Sequence, residues 1–436
     1  MSTSQVSRRG FIKTSAAAIA ALSVARSAHA AGSDTIKIGM IGCGGRCTGA
    51  AHDAMTADPG IKLVAMTDLF LDRVKDKHGV LKKQKPEQVD VTPDNMFSGI
   101  DGYKKVIDAV DVVLIACAAK FHPMYVKAAI AAGKHAFCEK PHAIDPYGIK
   151  TLMDATAMAK EKKLSILSGL HSRYAPEMKE CIQRVQDGQI GDIVSIEENF
   201  IRAPYGLVQR RPEGMSELHW QYSCQYRFRW LCGDDVPQSL VHNIDRATWA
   251  MKEAVPVKCH GLAGRSSTFD LPYVYGDVFD HHSVVYEYAG GIRVYAFCRT
   301  QPNCYNEDSS IILGAKGKAF VKSGRIDGEK PWKFTGKWDN PYVLEHVDFF
   351  KAIRDGKPLN CGDYAARSTL VTIMGQLSCY SGQETTWDQM MKSTFAYAPK
   401  AEECTWDMEP PNKPDDKGIY PVPIPGKFSF AEPKPA

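Results

Sequence analysis

Residues Thr35–Asp53 read TIKIGMIGCGGRCTGAAHD, an apolar run that ends in a cluster of glycines and continues into small residues. This pattern is typical of a buried strand that turns sharply into a helix. Gly42, Gly44 and Gly45 would let main-chain amides approach a pyrophosphate, and the helix N-terminus would supply unpaired N–H groups. Cys47 stands where the third glycine of G-x-G-x-x-G belongs. The stretch predicts the first turn of a dinucleotide-binding unit, with an ordinary glycine turn as the alternative.

The next predicted strand, Ile61–Thr67, is followed directly by Asp68, 24 positions after Gly44. An acidic residue at this point of a dinucleotide-binding fold accepts hydrogen bonds from the adenosine ribose hydroxyls and repels a 2′-phosphate. Asp68 therefore favours NAD over NADP as the cofactor. The alternative is an ordinary turn or N-cap aspartate.

Helices and strands then alternate with short connections. The predicted helices are Tyr103–Ala109 and Pro123–Ala132, and the predicted strands are Asp111–Cys117 and His135–Cys138. Short connections between alternating elements indicate a parallel, doubly wound sheet of the α/β class. We assign residues 31–160 to this NAD-binding Rossmann domain.

The pattern changes in the second half of the chain, which we predict to be an α+β domain over residues 161–398. Its longest β-prone runs are Ile193–Ile201, Val278–Tyr288, Gly291–Arg299 and Ser309–Leu313. The middle two are joined through Ala289 and Gly290, which favours a hairpin and a large, mostly antiparallel open sheet. Helices are predicted at Pro176–Gln186, Val343–Arg354 and Ala365–Tyr380. Residues 399–436 form a Pro-rich tail that lies on its own subunit or on a neighbouring one.

Composition places the chain among globular proteins, with 436 residues, of which 44% are hydrophobic and 24% charged. The formal charge is +4, and the first thirty residues carry Arg8, Arg9, Lys13 and Arg26 with no acidic residue, so the remainder sums to 4 − 4 = 0. Without a net positive charge there is no electrostatic reason to expect nucleic acid or an anionic membrane as partner.

The N-terminus combines the Arg8–Arg9 pair, a short apolar stretch and the small-x-small sequence Ala28–Ala30. These features predict a twin-arginine export signal over residues 1–30, cleaved after Ala30, and a periplasmic protein. The apolar stretch is too short to span a bilayer comfortably. An uncleaved N-terminal anchor is the alternative.

The thirteen cysteines form no C-x-x-C pair and no spacing typical of a metal site. Cys43, Cys117 and Cys138 lie in or beside apolar runs, where a free thiol behaves as a small hydrophobe. We therefore expect buried, reduced cysteines and no metal ion.

The tripeptide Glu139-Lys140-Pro141 follows the strand His135–Cys138, at the carboxyl edge of the predicted sheet, where doubly wound folds bind ligands. A lysine there can donate to a substrate hydroxyl and stabilise developing negative charge on its oxygen. A solvated lysine at a strand end is the alternative.

A second group of polar residues follows Gly233. If this stretch is a helix, Gln238, His242, Asp245 and Trp249 recur along one face. A histidine with amide and carboxylate neighbours can shuttle protons near neutral pH. A hydrogen-bonded core histidine is the alternative, and a metal site is disfavoured because no third ligand stands at a recognisable spacing.

Residues 202–230 interleave arginines with aromatic side chains, among them Arg202, Tyr205, Trp220, Tyr226 and Trp230. Carbohydrate-binding clefts use this combination, since sugar C–H faces stack on rings and hydroxyls take charged hydrogen bonds. Single-stranded nucleic acid binding uses similar chemistry, but the neutral charge disfavours it. A long ordinary loop is the alternative.

The glycine turn, Asp68, Glu139-Lys140-Pro141 and the His242-x-x-Asp245 helix together resemble the Gfo/Idh/MocA oxidoreductase family, which includes glucose–fructose oxidoreductase and inositol 2-dehydrogenase. The resemblance extends over about residues 35–380, including EHVDFFKAIRDGKPLN at 345–360. It implies a nicotinamide-binding N-terminal domain and a C-terminal open-sheet domain that often mediates oligomers. Expected roles by residue are catalysis (Lys140, His242, Gln238), cofactor contact (Gly42, Gly44, Gly45, Arg46, Asp68, His122, Glu139, Lys140) and substrate contact (Tyr174, Arg202, Tyr205, Trp220, Asp245).

One departure from the family pattern concerns the histidine helix. Sugar dehydrogenases of the family usually carry Asp four residues before the histidine, and here that residue is Gln238. Glutamine can orient a hydroxyl but cannot exchange a proton, which puts an Asp–His relay in doubt. Cys47 is a milder departure, because a thiol is small enough to substitute for glycine at a close helix–strand contact.

The sequence therefore predicts an exported oxidoreductase that transfers a hydride between a sugar or sugar derivative and a tightly bound NAD. Export favours tight binding, because free NAD is not expected to be plentiful outside the cytoplasm. The alternatives are an NAD-dependent glycosidase or lyase that oxidises its sugar transiently, and a non-catalytic sugar-binding protein. A homo-oligomer is expected, without stable membrane insertion.

Overall fold

A computed structural model describes residues 34–205, 211–266 and 276–430 of the chain. The predicted export signal, residues 1–30, lies outside the described residues, as does the end of the predicted tail, residues 431–436.

The first sheet in the described chain has six strands in the order β3-β2-β1-β4-β5-β6. The strands are β1 (Ile36–Ile41), β2 (Ile61–Asp68), β3 (Met96–Ser98), β4 (Val112–Ile115), β5 (His135–Cys138) and β6 (Ile166–Ser168). The pairs β1–β4, β2–β3, β4–β5 and β5–β6 are parallel. β1 and β4 are almost continuously buried, as expected for strands that are covered on both faces. This is the doubly wound order, and the predicted Rossmann fold is confirmed.

Six helices follow or connect these strands in the described part of the N-terminal half. They are α1 (Gly45–Ala57), α2 (Leu71–Gln84), α3 (Gly102–Ala109), α4 (His122–Ala131), α5 (Pro146–Lys162) and α6 (Pro176–Gln186). β6 lies beyond residue 160, so the sheet extends past the predicted domain boundary. A later segment continues this edge, because Ile166 N–H donates to Leu359 O at 2.8 Å and Cys361 N–H donates to Ile166 O at 2.8 Å.

The second sheet has nine strands in the described chain, in the order β14-β13-β12-β11-β7-β10-β9-β8-β15. The strands are β7 (Ile193–Arg202), β8 (Lys258–Gly264), β9 (His281–Glu287), β10 (Arg293–Thr300), β11 (Glu307–Gly314), β12 (Gly317–Phe320), β13 (Arg325–Gly328), β14 (Trp332–Lys333) and β15 (Thr385–Thr386). β7 and β10 are parallel, and the other registered pairs are antiparallel. The prediction of a mostly antiparallel sheet is confirmed.

One predicted strand, Val278–Tyr288, is too long. β9 starts at His281, because the main-chain N–H of Phe279 donates to the carboxylate of Asp234 at 3.1 Å and not to a neighbouring strand. The predicted hairpin between β9 and β10 is present, and Gly290 in its turn has φ +80°. A side chain at that position would strain the turn.

Helices cover one face of the second sheet. In chain order, the remaining described helices are α7 (Glu217–Ser223), α8 (Arg229–Cys232), α9 (Val241–Ala250), α10 (Pro341–Arg354), α11 (Gly362–Ser381) and α12 (Trp387–Lys392). α9 packs against β7 and α11 against β8. Alternate residues of β10, such as Val294 and Ala296, are fully buried on this face. No helix in the described ranges has both the length and the apolar character that a bilayer crossing requires.

Residues 399–430 of the predicted tail pack on their own chain. Tyr420 and Phe430 are buried, and Gly426 N–H donates to Ser381 O at 2.8 Å at the end of α11. Gln221 on α7 donates to the carbonyl of Asn412 at 2.6 Å. Of the two locations left open by the sequence, this segment therefore takes the surface of its own subunit.

Candidate active site

The glycine turn between β1 and α1 requires glycine at one position and leaves space at two others. Gly42 has φ +97°, and a Cβ there would lie 2.8 Å from the carbonyl oxygen of Ala116. A Cβ on Gly44 or Gly45 would meet no atom within 4 Å. No side chain of the described residues caps the N-terminus of α1. The turn therefore provides an open cradle beside uncapped main-chain N–H groups, which suits a pyrophosphate.

Cys47, which replaces the third glycine, is completely buried under α1, with its Sγ 3.6 Å from the carbonyl oxygen of Leu114 on β4. Burial raises the pKa of the Cys47 thiol to about 12, so it is protonated and packs as a small apolar group. The expected compensation for the missing glycine is thus present in the packing.

Asp68 ends β2 beside the glycine turn. Its Oδ2 accepts the main-chain N–H of Cys43 at 2.8 Å, and its Oδ1 lies 4.0 Å from Nη1 of Arg73. Arg73 is not adjacent to Asp68 in the sequence, but the first turn of α2 brings it back to the carboxylate. Ribose hydroxyls would meet Asp68, while Arg73 supplies a positive charge at the same place.

A cavity beside Asp68 suits the adenosine part of a dinucleotide. Its lining residues are Ile41, Gly42, Gly44, Thr67, Asp68, Leu69, Arg73, Gly99, Ile100, Tyr103, Ala116, Cys117, Ala118, Phe121, Tyr125, Tyr222 and Gln225. Tyr222 and Gln225 come from the second half of the chain, and the Tyr222 hydroxyl donates to Thr405 O at 3.1 Å. Trp406 stacks on His219, with ring centroids 3.9 Å apart, and its edge meets Phe70 at 5.5 Å. The tail therefore buttresses the wall of the adenosine cavity.

The catalytic candidates meet at the carboxyl end of β5. Glu139 and Lys140 follow the strand, the Lys140–Pro141 peptide is cis, and the Lys140 Nζ donates to the main-chain carbonyl of Gln238 at 2.8 Å. Gln238 lies in a π-helical turn, Val236–Leu240, that leads directly into α9. The predicted continuous helical face is therefore wrong at its start. Position 238 contacts Lys140 through its main chain, so replacing Asp by Gln there does not remove this contact.

His242 lies in the first turn of α9 beside a second imidazole, which no sequence motif indicates. The ring of His171, which follows β6, is edge-on to the ring of His242 with centroids 4.9 Å apart. Burial and then the positive charge of Lys140 hold the pKa of His242 well below its usual range. Burial, then the charge of Arg246, lowers the pKa of His171 to about 3. Both rings are therefore neutral at physiological pH.

Arg46 connects the cofactor cradle to this cluster. Its guanidinium pairs with Glu139, lies 3.6 Å from Asp53 and 3.7 Å from the fully buried Glu345, and covers the ring of Tyr342 at 4.6 Å. Burial, and then the nearby charge of Glu139, raises the pKa of Glu345 well above its usual range. Burial thus favours the neutral form of Glu345. The structure places Arg46 and Glu139 at the cleft, where they fix each other beside Lys140.

Arg202 and Tyr205 mark the far side of the cleft. Arg202 donates to Asp235 and to Ser239, both at 2.8 Å, and its guanidinium lies 3.5 Å from the ring centre of Tyr205. Tyr205 is 56% exposed and approaches Tyr226 with a centroid distance of 5.7 Å. These two tyrosines present aromatic surface next to the turn that carries Gln238.

Four of the residues expected to contact ligand are buried and contact other parts of the protein. His122 is buried with both ring nitrogens on carbonyls, of Pro141 at 2.7 Å and Cys117 at 3.2 Å. Tyr174 contacts the Sγ of Cys361 at 3.6 Å. Trp220 is buried against Phe228 and Tyr420, and Asp245 is fully buried in a bidentate pair with Arg173.

No three His, Cys, Asp or Glu side chains form a metal-binding group in the ranges that the structure describes. All thirteen cysteines, each within these ranges, are free thiols.

Residues 36–168 match the family model GFO_IDH_MocA, described as an oxidoreductase family with an NAD-binding Rossmann fold. An inositol 2-dehydrogenase of Cereibacter sphaeroides is 31% identical over 349 residues, which is 77% of this chain and 92% of that protein. The chain belongs to the Gfo/Idh/MocA oxidoreductase family. A shorter match, 26% identical over 176 residues, joins 40% of this chain to about half, 48%, of the dTDP-3,4-didehydro-2,6-dideoxy-alpha-D-glucose 3-reductase of Actinomadura kijaniata.

The family's fold extends over both sheets. The crystal structure of the aldose-aldose oxidoreductase from Caulobacter crescentus complexed with glycerol superposes with a TM-score of 0.62 at 17% identity, over 81% of this chain and 99% of that chain. This likeness concerns the fold. The open cradle at Gly44 and Gly45, the uncapped start of α1 and the carboxylate of Asp68 fit the nicotinamide dinucleotide that the family model implies.

Proposed function

We propose that this protein is an oxidoreductase that transfers a hydride between a hydroxyl-bearing carbon of a sugar or cyclic polyol and a tightly bound NAD. The observation that carries the proposal is the convergence of Lys140, Gln238 and His242 at the strand edge that also holds the dinucleotide cradle. Strand ends of this sheet are where doubly wound folds bind their ligands. The names of the relatives, an inositol 2-dehydrogenase and a sugar reductase, support the substrate class.

Two side chains divide the proton chemistry of the proposed reaction. The Lys140 ammonium, aimed by the carbonyl of Gln238, donates a hydrogen bond to the substrate oxygen and stabilises negative charge that develops on it. The neutral imidazole of His242 accepts the hydroxyl proton, which a protonated imidazole could not do. A bound nicotinamide would supply the acceptor for the hydride. Gln238 takes part through its carbonyl, so no carboxylate relay is needed to position Lys140.

Cofactor choice and retention rest on the adenosine end of the cleft. Asp68 favours the unmodified ribose of NAD, and the wall formed by Tyr222 with Trp406 behind it hinders release of the cofactor. Arg73 offers charge to a 2′-phosphate, so binding of NADP should be weaker than that of NAD but measurable. Replacing Asp68 by Ala should narrow the difference in affinity between NAD and NADP, whereas replacing Arg73 by Ala should widen it.

Export through the twin-arginine route remains part of the proposal, because a cofactor that does not dissociate would allow the enzyme to work in the periplasm. An intact protein in a periplasmic extract, with an N-terminus at Ala31, is the expected result. Loss of export in the Arg8→Lys, Arg9→Lys variant would identify the signal, and the same localisation in that variant would contradict it.

Association into a homo-oligomer is proposed through the outer face of the second sheet. Val285, Tyr295, Ile311 and Phe320 stand side by side in one row across β9, β10, β11 and β12, with Glu197 of β7 among them. These five side chains are exposed or half-buried, and a second copy offers a matching row. The Tyr295→Arg variant should be monomeric in light scattering, and an unchanged mass would contradict this interface.

A specific observation favours a second candidate function. His171 gives the cleft a second neutral imidazole, and a redox-assisted glycosidase or lyase needs a second group to move protons during elimination. In such an enzyme the sugar is oxidised only transiently, so the cofactor ends in its starting state.

The test uses purified protein without added cofactor and a panel of inositols, aldoses and aryl glycosides. Reduction of the bound nicotinamide by a free polyol or sugar, seen by absorbance, is the expected result. Cleavage of an aryl glycoside without net reduction would favour the second candidate. The Lys140→Met variant should keep its nicotinamide and lose activity by roughly 10²- to 10⁴-fold. The matched variant Lys179→Met, on the exposed side of α6, should keep full activity. Binding of sugar with neither reaction would leave a non-catalytic binding protein.

A further inference from the structure

His171 is held rigidly at the edge of the cleft although no known role requires it. It begins a short 3₁₀ turn, His171–Tyr174, directly after β6. Its ring stacks on Tyr342 with centroids 4.1 Å apart and planes at 27°, and the Tyr342 ring is in turn covered by the guanidinium of Arg46. With His242 on another side, aromatic contacts fix the ring without using its nitrogen atoms.

The nitrogen atoms of His171 and His242 have no hydrogen-bond partner among the described residues. Both Nδ1 atoms are inaccessible and unpaired, while each residue as a whole remains partly exposed. An unpaired buried polar atom is destabilising, and native structures rarely keep one without a reason such as a ligand or a bound water.

Other histidines of this protein show the contrast. His122 and His142 are buried with both ring nitrogens within hydrogen-bond distance of polar atoms, those of His142 on Ser168 at 2.9 Å and Thr369 at 3.2 Å. His346 is also unpaired, but it is fully buried between Phe137 and Phe350 and has no open side. His171 and His242 alone, in the described part of the chain, combine unpaired nitrogens with an open cleft.

We infer that His171 is a substrate-contacting residue, which binds the hydroxyl group on the carbon next to the one that is oxidised. The inference rests on the proposed function and deepens it, since it selects substrates with two neighbouring hydroxyls on a ring. Lys140 and His242 take the reacting hydroxyl, and the adjacent imidazole takes its neighbour. One hydroxyl meets one ring nitrogen, and because Nδ1 of His171 is inaccessible this nitrogen is Nε2, which donates to or accepts from the hydroxyl according to the tautomer.

The geometry supports neighbouring hydroxyls over distant ones. The two rings are only 4.9 Å apart between centroids, so groups bound by both must be attached close together on the substrate. Because Tyr342 occupies one face of His171 and Nδ1 is inaccessible, the Nε2 edge is the part of the ring left for a hydroxyl.

The test compares three variants on two kinds of substrate. His171→Phe keeps an aromatic ring for stacking on Tyr342 but has no nitrogen, while His171→Asn and His171→Gln restore a hydrogen-bonding side chain of smaller or similar length. Each protein is assayed with a polyol that the wild type oxidises and with the analogues that lack one hydroxyl next to the reacting carbon. Thermal unfolding verifies that the variants fold.

For the parent polyol, His171→Phe should raise KM by roughly 3- to 10-fold, the value of one neutral hydrogen bond, with a smaller change in kcat. For one of the deoxy analogues, wild type and His171→Phe should have equal KM values, and Asn or Gln should recover part of the loss on the parent. An equal effect of His171→Phe on parent and analogues would overturn the inference while leaving the proposed function standing. Absence of oxidation by the wild type on every polyol would instead overturn the proposed function.

Discussion

The two ends of the ligand cleft are lined by different kinds of residue. At the adenosine end the walls are aromatic and aliphatic, the charges of Asp68 and Arg73 face each other, and Tyr222, with Trp406 behind it, forms part of the wall. At the catalytic end the surface is polar, with Lys140 and two unpaired neutral imidazoles. A cavity with aromatic walls suits a group that stays bound. An open polar surface suits a small hydroxylated molecule that enters and leaves at every turnover.

The largest expected effect is the loss of bound nucleotide when a side chain is introduced into the glycine turn between the two ends. In Gly45→Val the new side chain should project into space that is empty of protein atoms, so the fold should remain stable while the pyrophosphate is excluded. Nucleotide content measured after denaturing the purified variant should fall to background. Gly79→Val is the matched control, because a Cβ on Gly79 also meets no atom within 4 Å but lies on α2. Wild-type nucleotide content in Gly45→Val would show that the phosphates bind elsewhere.

A buried ion pair between Asp245 and Arg173 stabilises α9, the helix that carries His242 at the catalytic end. Asp245 is fully buried and accepts hydrogen bonds from Arg173, so Asp245→Asn leaves the buried Arg173 with the partly exposed Glu253 as its remaining charge partner. Breaking a buried pair costs at most roughly 3–5 kcal/mol of the free energy of unfolding. Denaturant unfolding measures this loss. Asp363→Asn, which removes an exposed partner of Lys160, should change it by less than about 1 kcal/mol. An Asp245→Asn protein with unchanged stability and a raised KM would contradict this account and indicate that Asp245 contacts the substrate.

A substitution in the tail should weaken retention of the cofactor at the adenosine end. Trp406→Ala removes the ring that packs on Phe70 and His219, and aromatic contacts of this kind are worth about 0.5–1.5 kcal/mol. Dissociation of NAD should therefore be faster by up to about 10-fold, whereas kcat with saturating NAD should not change. Trp338→Ala, which alters an exposed tryptophan that packs edge-on against Phe334, serves as the control. Equal dissociation rates in both variants would mean that the tail does not secure the cofactor.

The smallest expected effect is a flat region in the pH dependence at the open end. Because burial lowers the pKa of His242, its neutral, proton-accepting form persists below the usual value near 6.5 and is lost only as the pH falls through the lowered pKa. kcat/KM should consequently vary little between about pH 6 and 7.5 on account of this group. A steep acid limb centred near pH 6.5 would indicate an exposed imidazole and contradict the neutral assignment.

Local sequence was sufficient to place a residue at the end of one strand. Gly42 lies at the end of β1, Asp68 at the end of β2 and Lys140 at the end of β5, and the order of strands in a doubly wound sheet brings these ends together. The order could be inferred from alternating helices and strands. The hairpin after β9 and the antiparallel character of the second sheet followed from turn residues and β-prone runs in the same way.

Contacts between distant segments could not be read from the sequence. His171 and Tyr342 are neighbours only because α10 packs against the turn after β6. Gln238 acts through its carbonyl, a group that every residue type possesses, so its identity carries no signal for the contact with Lys140. Asp245 and His242 share one helix, yet Asp245 is drawn into the core by Arg173. The direction of a side chain depends on partners that pattern and spacing do not reveal.

Nucleotide analysis of the dialysed protein tests the central claim, a retained NAD at the adenosine end and an exchanging polyol at the open end. Protein purified and dialysed without cofactor is divided, one half is treated with a polyol it oxidises, and both halves are denatured for quantification of nucleotides. The account predicts close to one NAD per chain in the untreated half and reduced NAD in the treated half. Dialysed protein without nucleotide, active only when NAD is supplied afresh, would contradict it.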